Sequence, residues 1–331
     1  MLTDTPISRP YFSLLIANYN NSRFLAQCIQ SVYDQTFADW EIVIVDDCSI
    51  DEFEQVIEGY KHDTRIRVFR NERNMGCSFT KNRLASLGKG VVMAYLDPDD
   101  ALLVKALEVM ATAHRRHTKC SLISSTHFIC DEHLTPIRIA DYPKALPPGT
   151  PYLLVSDGSV HAFASFKKSF YDTAEPISKD RRYDKAIDQE LYYVLEETGD
   201  VLFINEPLYY YRIHTGSISN MGNEYEASNV HYEIIMDRCR KRIEKLSGIN
   251  TSEASRWTRR YNTRFHRVRI VYSLRRKQWG SALSSILRYP FIGGAGHLYS
   301  YLAKLPRQGM PLIHKTLGNY QIYLVPEKRD I

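Results

Sequence analysis

The chain is predicted to form an α/β domain on a mostly parallel, doubly wound sheet with helices on both faces. Three observations carry this. Apolar, β-branched runs alternate with helix-period stripes from Pro10 to about residue 115. The connections between them are short, which suits right-handed strand–helix–strand crossovers. Two of the runs end abruptly in aspartates, at the strand exits where open α/β folds bind ligands.

In order, Phe12–Ala17 reads as the first strand, followed by a helical stripe over Phe24–Tyr33 with apolar residues at 24, 25, 28, 29, 32 and 33. Trp40–Val45 is a β-branched second strand that runs into Asp46-Asp47. Phe53–Tyr60 fits a helix and Ile66–Phe69 a third strand. Ser78–Leu87 fits a helix closed by Gly88 and Gly90, Val91–Leu96 a fourth strand, and Leu102–His114 another helix. Pro98 stops the fourth strand because it has no N–H to give to a ladder. Asp99 or Asp100 is placed to N-cap the run that begins at Ala101. Residues 119–160 look irregular, with Pro136, Pro143, Pro147, Pro148, Gly149 and Pro151 marking loops. Tyr183–Leu195 reads as the start of a helix, and Glu224–Lys245 and Ser252–Lys277 as strongly basic helices.

The composition, 44% hydrophobic and 24% charged over 331 residues, fits a globular chain with a real core and room for more than one domain. Residues 221–331 hold 20 Lys and Arg against 8 Asp and Glu, a net +12, whereas residues 1–220 hold 23 against 30, a net −7. That asymmetry predicts two modules facing different partners: a domain over 1–220 and a basic, mostly helical extension over 221–331. No apolar run approaches the roughly 18 residues a membrane span needs. Met1–Pro6 lacks the basic region and apolar core of a signal peptide, so the expected location is cytoplasmic. The six cysteines form no C-x-x-C pair, which argues for reduced thiols over a zinc site or a disulfide framework.

The acids carry the chemistry. Asp46-Asp47 and Asp97-Pro98-Asp99-Asp100 fall on one edge of the predicted sheet. Crowded carboxylates repel one another unless a cation sits among them, and oxygen-rich sets suit Mg²⁺ or Mn²⁺, which keep positions open for phosphate oxygens. Neither cluster alone is specific, because acids after strands are common turn formers and helix caps. No Walker Lys-Ser/Thr loop and no Gly-x-Gly-x-x-Gly follows the first strand, so phosphate-loop and dinucleotide readings are weak.

Several stretches resemble the family 2 glycosyltransferases, which bind a nucleotide sugar on a GT-A fold. They are Ser13–Asn20, Gln35–Phe37 through Glu41–Ser49, Asn74–Gly76, Lys81-Asn82, Leu96–Asp100, Ile187–Leu191 and Tyr211–Ser219. The resemblance covers about residues 10–220. It implies an inverting transfer of sugar from a nucleotide sugar, UDP-linked by first expectation, to a hydroxyl of a glycan or lipid-linked acceptor, with Mn²⁺ or Mg²⁺ on the diphosphate. By position, Ala17 and Tyr19 line the nucleobase pocket, and Asn18, Asn20, Asp46 and Asn74 belong to the nucleotide-binding set. Asp47 hydrogen-bonds the base. Lys81 stands where many members carry an arginine near the nucleotide, which keeps the charge but loses the bidentate fork. Asp99 lies between ribose and metal, Asp100 is the principal metal carboxylate, and Asp97 joins the nucleotide site. His214 helps to bind metal or diphosphate, and Asp188 is the general base, with Glu190 a rival two residues away. Where the family often has Glu-Asp, this chain has Ile187-Asp188.

The implied roles agree with elementary chemistry. Breaking an anomeric C–O bond leaves charge on the diphosphate, which a divalent cation neutralises. The attacking hydroxyl must give up its proton to a base within hydrogen-bond reach. The alternatives are a metal-dependent nucleotidyltransferase and a non-catalytic nucleotide- or carbohydrate-binding protein on a transferase fold. The basic positions Arg238, Arg240, Lys241, Arg242, Lys245, Arg256, Arg259, Arg260, Arg264, Arg267 and Arg269 read as a solvated helix surface or as an anionic-membrane contact. Tyr289, Phe291, Leu298, Tyr299, Tyr301 and Leu302 would then form an interfacial patch. Nucleic acid is not an expected partner, since no known binding module is visible.

Overall fold

The computed structural model describes residues 9–215 and 224–293. It divides into two compact units, one made of Met1–Tyr152 with Ser159–Met221 and the other of Leu153–Gly158 with Gly222–Ile331.

The first unit is built on a nine-stranded sheet: β1 (Phe12–Asn18), β2 (Trp40–Asp46), β3 (Ile66–Arg70), β4 (Val92–Tyr95), β5 (Ala101–Leu102), β6 (Cys120–Cys130), β7 (Pro136–Ile139), β8 (Ala164–Lys167) and β9 (Asp200–Arg212). Its helices are α1 (Ser22–Tyr33), α2 (Phe53–Glu58), α3 (Cys77–Leu87), α4 (Ala106–Arg116), α6 (Lys168–Tyr171) and α7 (Ile187–Leu195), with a 3-10 turn at Arg181–Tyr183 before α7; the short α5 (Tyr152–Val155) falls mostly in the second unit. The strand order is β3-β2-β1-β4-β8-β6-β9-β5, with β7 paired to β6.

The first half of the sheet follows the expected pattern. β3, β2, β1 and β4 are mutually parallel, and Asn18 lies opposite Asp46 in register. β1 and β2 are buried along almost their whole length, which is why they read as unbroken apolar runs. Phe12, Leu14 and Ile16 of β1 meet Leu25, Ile29 and Val32 of α1 in one core, a strand period of two against a helix stripe. Each such side chain contributes about 1.5–3 kcal/mol by burial. At the opposite end of β1, Gly90 is required by close approach: a Cβ there would stand 2.5 Å from the Ser13 backbone nitrogen.

The second half corrects the doubly wound expectation, because the sheet is mixed. After β6 the chain returns along β6 as β8, which runs antiparallel to both β6 and β4 and sits between them. An antiparallel return needs no crossover helix. β5 also pairs antiparallel, with Ala101 and Leu102 opposite Tyr210 and Tyr209. That pairing overturns the helix-cap reading of Asp99 and Asp100: residues 101–102 are strand, and α4 begins only at Ala106, after Lys105. The stretch that looked irregular contains β6, an eleven-residue buried strand.

The second unit holds α8 (Glu224–Leu246), α9 (Ser252–Arg275) and α10 (Trp279–Gly293). Thr251 caps α9 by accepting the Ala254 N–H at 3.1 Å. α9 packs against both α8 and α10, and Ile270, Leu274, Ile286 and Tyr289 share a core. The basic face is not simply solvated. Arg238, Arg242, Arg264 and Arg275 are buried. Arg242 lies over Tyr261 and Arg275 over Tyr232, and Arg264 donates to the Val155 carbonyl at 3.2 Å. Arginine can be buried this way because its planar guanidinium stacks on rings and is weakly hydrated. Tyr289 is also buried, so it does not belong to an exposed patch. Leu298, Tyr299, Tyr301, Leu302 and the segment Gly216–Ser219 lie outside the described residues, as does the Phe291 side chain. Among the described residues, no helix is long and apolar enough to cross a membrane.

Candidate active site

Because β1, β2 and β4 are parallel, they exit at the same edge, and their last residues share it. The two acid clusters there are held very differently. Asp46 accepts Asn18 Nδ2 at 2.9 Å, Ser49 N at 3.0 Å and Ser49 Oγ at 2.5 Å, and it pairs with Arg70 Nε at 3.4 Å. Asp47 Oδ1 accepts Asn71 Nδ2 at 2.6 Å and Met75 N at 2.8 Å, while Oδ2 accepts Gly76 N at 2.8 Å. Asp47 thereby fixes the loop that leads into α3. Gly76 makes that loop possible: its φ is +93°, and a Cβ would stand 2.6 Å from Asp184 Oδ2. Asp184 Oδ1 in turn accepts Ser78 N at 2.8 Å in the first turn of α3. Asn74 is bound from outside by Arg181, whose Nη2 donates to its Oδ1 at 2.9 Å.

The other loop of this edge follows β1. Ala17 is half-buried and Tyr19 is exposed. Asn20, with φ +51°, braces the loop, its N–H donating to Ser49 Oγ at 2.9 Å and its Oδ1 accepting Ile50 N at 2.9 Å.

The acids after β4 are less evenly matched. Asp100 is buried, its Oδ1 accepts Arg212 N at 2.7 Å, and the Tyr209 hydroxyl also bonds it. Burial, reinforced by Asp99 and Asp97, pushes its carboxyl well above the usual range. Asp97 lies 3.7 Å from Lys81 Nζ. Burial pushes its carboxyl up, Lys81 pulls it down, Asp188 and Asp99 push it up again, and the balance is about 6. Asp99 Oδ2 meets His214 Nε2 at 2.8 Å. The tautomer of His214 follows from its other partner: Arg23 Nη2 is 3.0 Å from Nδ1 and can only donate, so Nδ1 accepts and Nε2 carries the proton given to Asp99. Arg212 ties the cluster to its surroundings, donating from Nε to the Asp99 carbonyl at 2.5 Å and from Nη2 to Gln27 Oε1 at 2.8 Å.

Lys81 links the two sides. It is buried on α3, 2.6 Å from Asp188 Oδ1 and 5.0 Å from the centre of the Tyr95 ring. Burial alone would lower its ammonium, but Asp188 and Asp97 outweigh that and hold it well above its ordinary value. Asp188 occupies the first turn of α7, and its side chain is 41% exposed. Glu190, the rival base, is only 5% exposed, and its Oε2 accepts Ser178 N at 2.9 Å. Burial pushes the thiol of Cys77, beside Lys81, up to about 12.

Asp99, Asp100 and His214 do not form a three-armed cage. Asp100 is turned onto Arg212, and among the described residues no group of three or more His, Cys, Asp or Glu side chains is arranged to hold a metal. Asp99 offers a carboxylate oxygen, and His214 beside it would become a second ligand by giving up the Nε2 proton it now donates to Asp99. That fits a cation which takes one or two protein ligands and fills its shell with water and phosphate oxygens. The carboxyls pushed up around it also fit a site that takes positive charge.

Residues 13–173 match glycosyl transferase family 2. That stretch is a family 2 glycosyltransferase domain. It is 26% identical over 227 residues to chondroitin synthase of Escherichia coli, covering 68% of this chain and 32% of that protein. It is 26% identical over 233 residues to the glycosyltransferase GlyG of Streptococcus pneumoniae, covering 65% of this chain and 74% of that protein. The chain thus spans about a third of the synthase and about three quarters of GlyG. Its fold is similar to that of S. aureus TarS 1–349, with a TM-score of 0.62 at 14% identity over 88% of this chain and 82% of that one. The same protein solved in complex with UDP-GlcNAc gives a TM-score of 0.57 over 90% and 93%. This glycosyltransferase therefore has a GT-A-like domain.

Several residues of the glycosyltransferase site had not been singled out from sequence. Arg212 lies inside the Tyr211–His214 motif, where an arginine between two apolar residues of a strand was a usable signal. Arg23, Asp184 and Arg181 gave none, because each reaches its partner from a distant part of the chain.

Proposed function

We propose that this glycosyltransferase moves a sugar, with inversion, from a UDP-linked donor to a hydroxyl of a glycan or lipid-linked acceptor, with Asp188 as general base. The observation that carries this is the placement of Asp188: half-exposed, in the first turn of α7, and joined through Lys81 to Asp97 of the β4 cluster. It is a carboxylate open to an acceptor on one side of the crevice, with the acids suited to the donor's diphosphate on the other. Glu190 lacks that freedom.

The acceptor oxygen attacks the anomeric carbon while its proton passes to Asp188. The bond from that carbon to the diphosphate oxygen breaks, and the electron pair leaves with the nucleoside diphosphate. Lys81 holds the base in place. Asp47 accepts three donors, so one of a carboxylate's roughly four lone-pair sites remains for the N3–H of a uracil. Tyr19 and Ala17 flank that base, and Asn18, Asp46 and Asn74 fix the two loops around it. Asp99 and His214 would hold Mn²⁺ or Mg²⁺, with Asp100 behind them, and the ion would neutralise charge on the leaving diphosphate. UDP is favoured by the similarity to a protein solved with UDP-GlcNAc, and a polysaccharide acceptor by the similarity to a chondroitin synthase.

The test combines product stereochemistry with one substitution. With a panel of UDP-sugars, NMR of the product should show the anomeric configuration opposite to that of the donor. Asp188→Asn should retain UDP binding while kcat falls by about 10²–10⁴, the usual scale for a lost general base. A retained configuration would sink the inverting mechanism. Near-normal turnover in the variant would move the base elsewhere.

A further inference from the structure

α10 has two faces of opposite character. Ala282, Ser285 and Tyr289 are buried and Ile286 is half-buried, on the side that packs against α9. Trp279, Leu283 and Leu287 are 65%, 56% and 61% exposed. They recur every four residues, so they lie in one stripe on the outer face. Scattered exposed apolar residues need no explanation, but a Trp and two Leu aligned on one helix do. Along the chain on either side of the stripe the charges have a single sign. Arg276, Lys277 and Arg288 are exposed, and no Asp or Glu occurs between Ser273 and Gly293. The unit that carries the helix has the net +12 counted in residues 221–331.

We propose that α10 is the surface by which this protein lies on an anionic lipid bilayer, with Trp279, Leu283 and Leu287 at the headgroup–acyl boundary and Arg276, Lys277 and Arg288 among the phosphates. An interfacial helix needs an apolar stripe, a Trp that sits well at the boundary, and cations beside it, and α10 has all three. Charge decides among occupants. A second copy would bring the same cations against these, whereas an anionic bilayer complements them. The buried Tyr289 takes no part, which moves the contact away from the segment first suspected and onto the outer face of the same helix. The stripe is short, so the expected binding is reversible and lipid-dependent. The proposal goes beyond the transferase reading and does not depend on it, because lipid binding and sugar transfer are measured separately.

The test is flotation of the full-length protein with vesicles of phosphatidylcholine alone or with phosphatidylglycerol added. The protein should float with the anionic vesicles, and Trp279 fluorescence should shift to the blue and be quenched by brominated acyl chains. Leu283→Ser/Leu287→Ser should lower partitioning on the order of tenfold or more. Arg276→Gln/Lys277→Gln/Arg288→Gln should remove the preference for anionic lipid, by roughly fivefold per charge. All five positions are exposed, so an unchanged melting temperature should accompany both losses. Absence of binding to anionic vesicles would overturn the proposal, as would equal binding by the wild type and the stripe variant. A stripe variant that floats normally but loses a dimer in light scattering would assign the stripe to a second copy of the chain instead. One that floats normally and melts lower would assign it to internal packing.

Discussion

The acids that end β2 and those that end β4 look alike in sequence and are unlike in structure. Asp46 and Asp47 are enclosed by donors from their own loops: backbone N–H groups, Asn18, Ser49 and Asn71, with Arg70, among the described residues, as the one charged partner. Their negative charge is spread over a hydrogen-bonded frame. Asp97 and Asp188 instead meet Lys81, Asp99 meets His214 and Asp100 meets the Arg212 backbone, and burial with mutual repulsion pushes the Asp97 and Asp100 carboxyls up. A structural acid is one whose oxygens the fold itself occupies. A site acid is left for something the fold does not supply. Position at a strand exit does not separate the two, and partner count does.

The comparison can be broken most severely at Asp99. If the β4 acids are the ones that take a cation, Asp99→Asn should abolish the extra stabilisation that Mn²⁺ gives to UDP binding. With ligand at a hundredfold excess over Kd, the whole stabilisation by the bound ligand is about 2.7 kcal/mol, and the manganese gain is a part of it. A thermal-shift series of protein, UDP, Mn²⁺ and both together reads it without any turnover. Asp99 is the better target than Asp100, whose Oδ1 supports the Arg212 backbone, so that its removal would unsettle β9 as well. A manganese effect that survives Asp99→Asn would place the cation elsewhere.

Acid stability sharpens the contrast from outside both clusters. His114, His127 and His161 are held neutral by burial, His161 at about 4 and His114 at about 3, while His127 lies well below its ordinary value. Unfolded histidines bind protons from about pH 6.5 downward. Between that pH and about 4 the unfolded state therefore takes up more protons than the folded one. The stability these histidines contribute is complete above pH 6.5 and is lost as the pH falls toward 4 and below. Each adds a slope of up to about 1.4 kcal/mol per pH unit. Urea titrations between pH 7 and 5 should show the midpoint falling, and His114→Gln should flatten the fall. A flat midpoint over that range would mean the imidazoles are not held neutral.

Much of this was legible in the sequence, and the failures have physical causes. The parallel half of the sheet declared itself because β1 and β2 are buried on both faces, so their apolar runs are unbroken. β6 hid because several of its buried polar residues find their partners in other segments of the chain. Ser121 Oγ donates to the Leu195 carbonyl at 2.7 Å, Thr126 Oγ1 to the Ala140 carbonyl at 3.0 Å, and His127 Nε2 meets the Tyr142 hydroxyl at 2.9 Å. A strand that buries Ser, Thr and His in this way shows no hydrophobic period to read. The nucleotide and metal candidates were found by motif, but motif did not reveal that Lys81 is committed to Asp188, nor that Asp100 faces inward. Those facts depend on which residues α3, α7 and β9 bring together across the chain.

The smallest effect is expected at Asp47, and it tests the other half of the comparison. Asp47→Asn keeps the shape of the side chain and removes its charge. One of its two positions becomes an NH₂ group facing either the Gly76 N–H or the Asn71 and Met75 donors, so at least one buried donor loses its acceptor. The cost of such a loss is about 1–3 kcal/mol, seen as a drop in melting temperature. UDP binding should weaken as the loop into α3 loosens. The fractional gain from Mn²⁺ should stay as in the wild type, because the cation is assigned to β4 and not to β2. If Asp47→Asn instead erased the manganese gain while leaving the melting temperature alone, the frame and the site would have changed places.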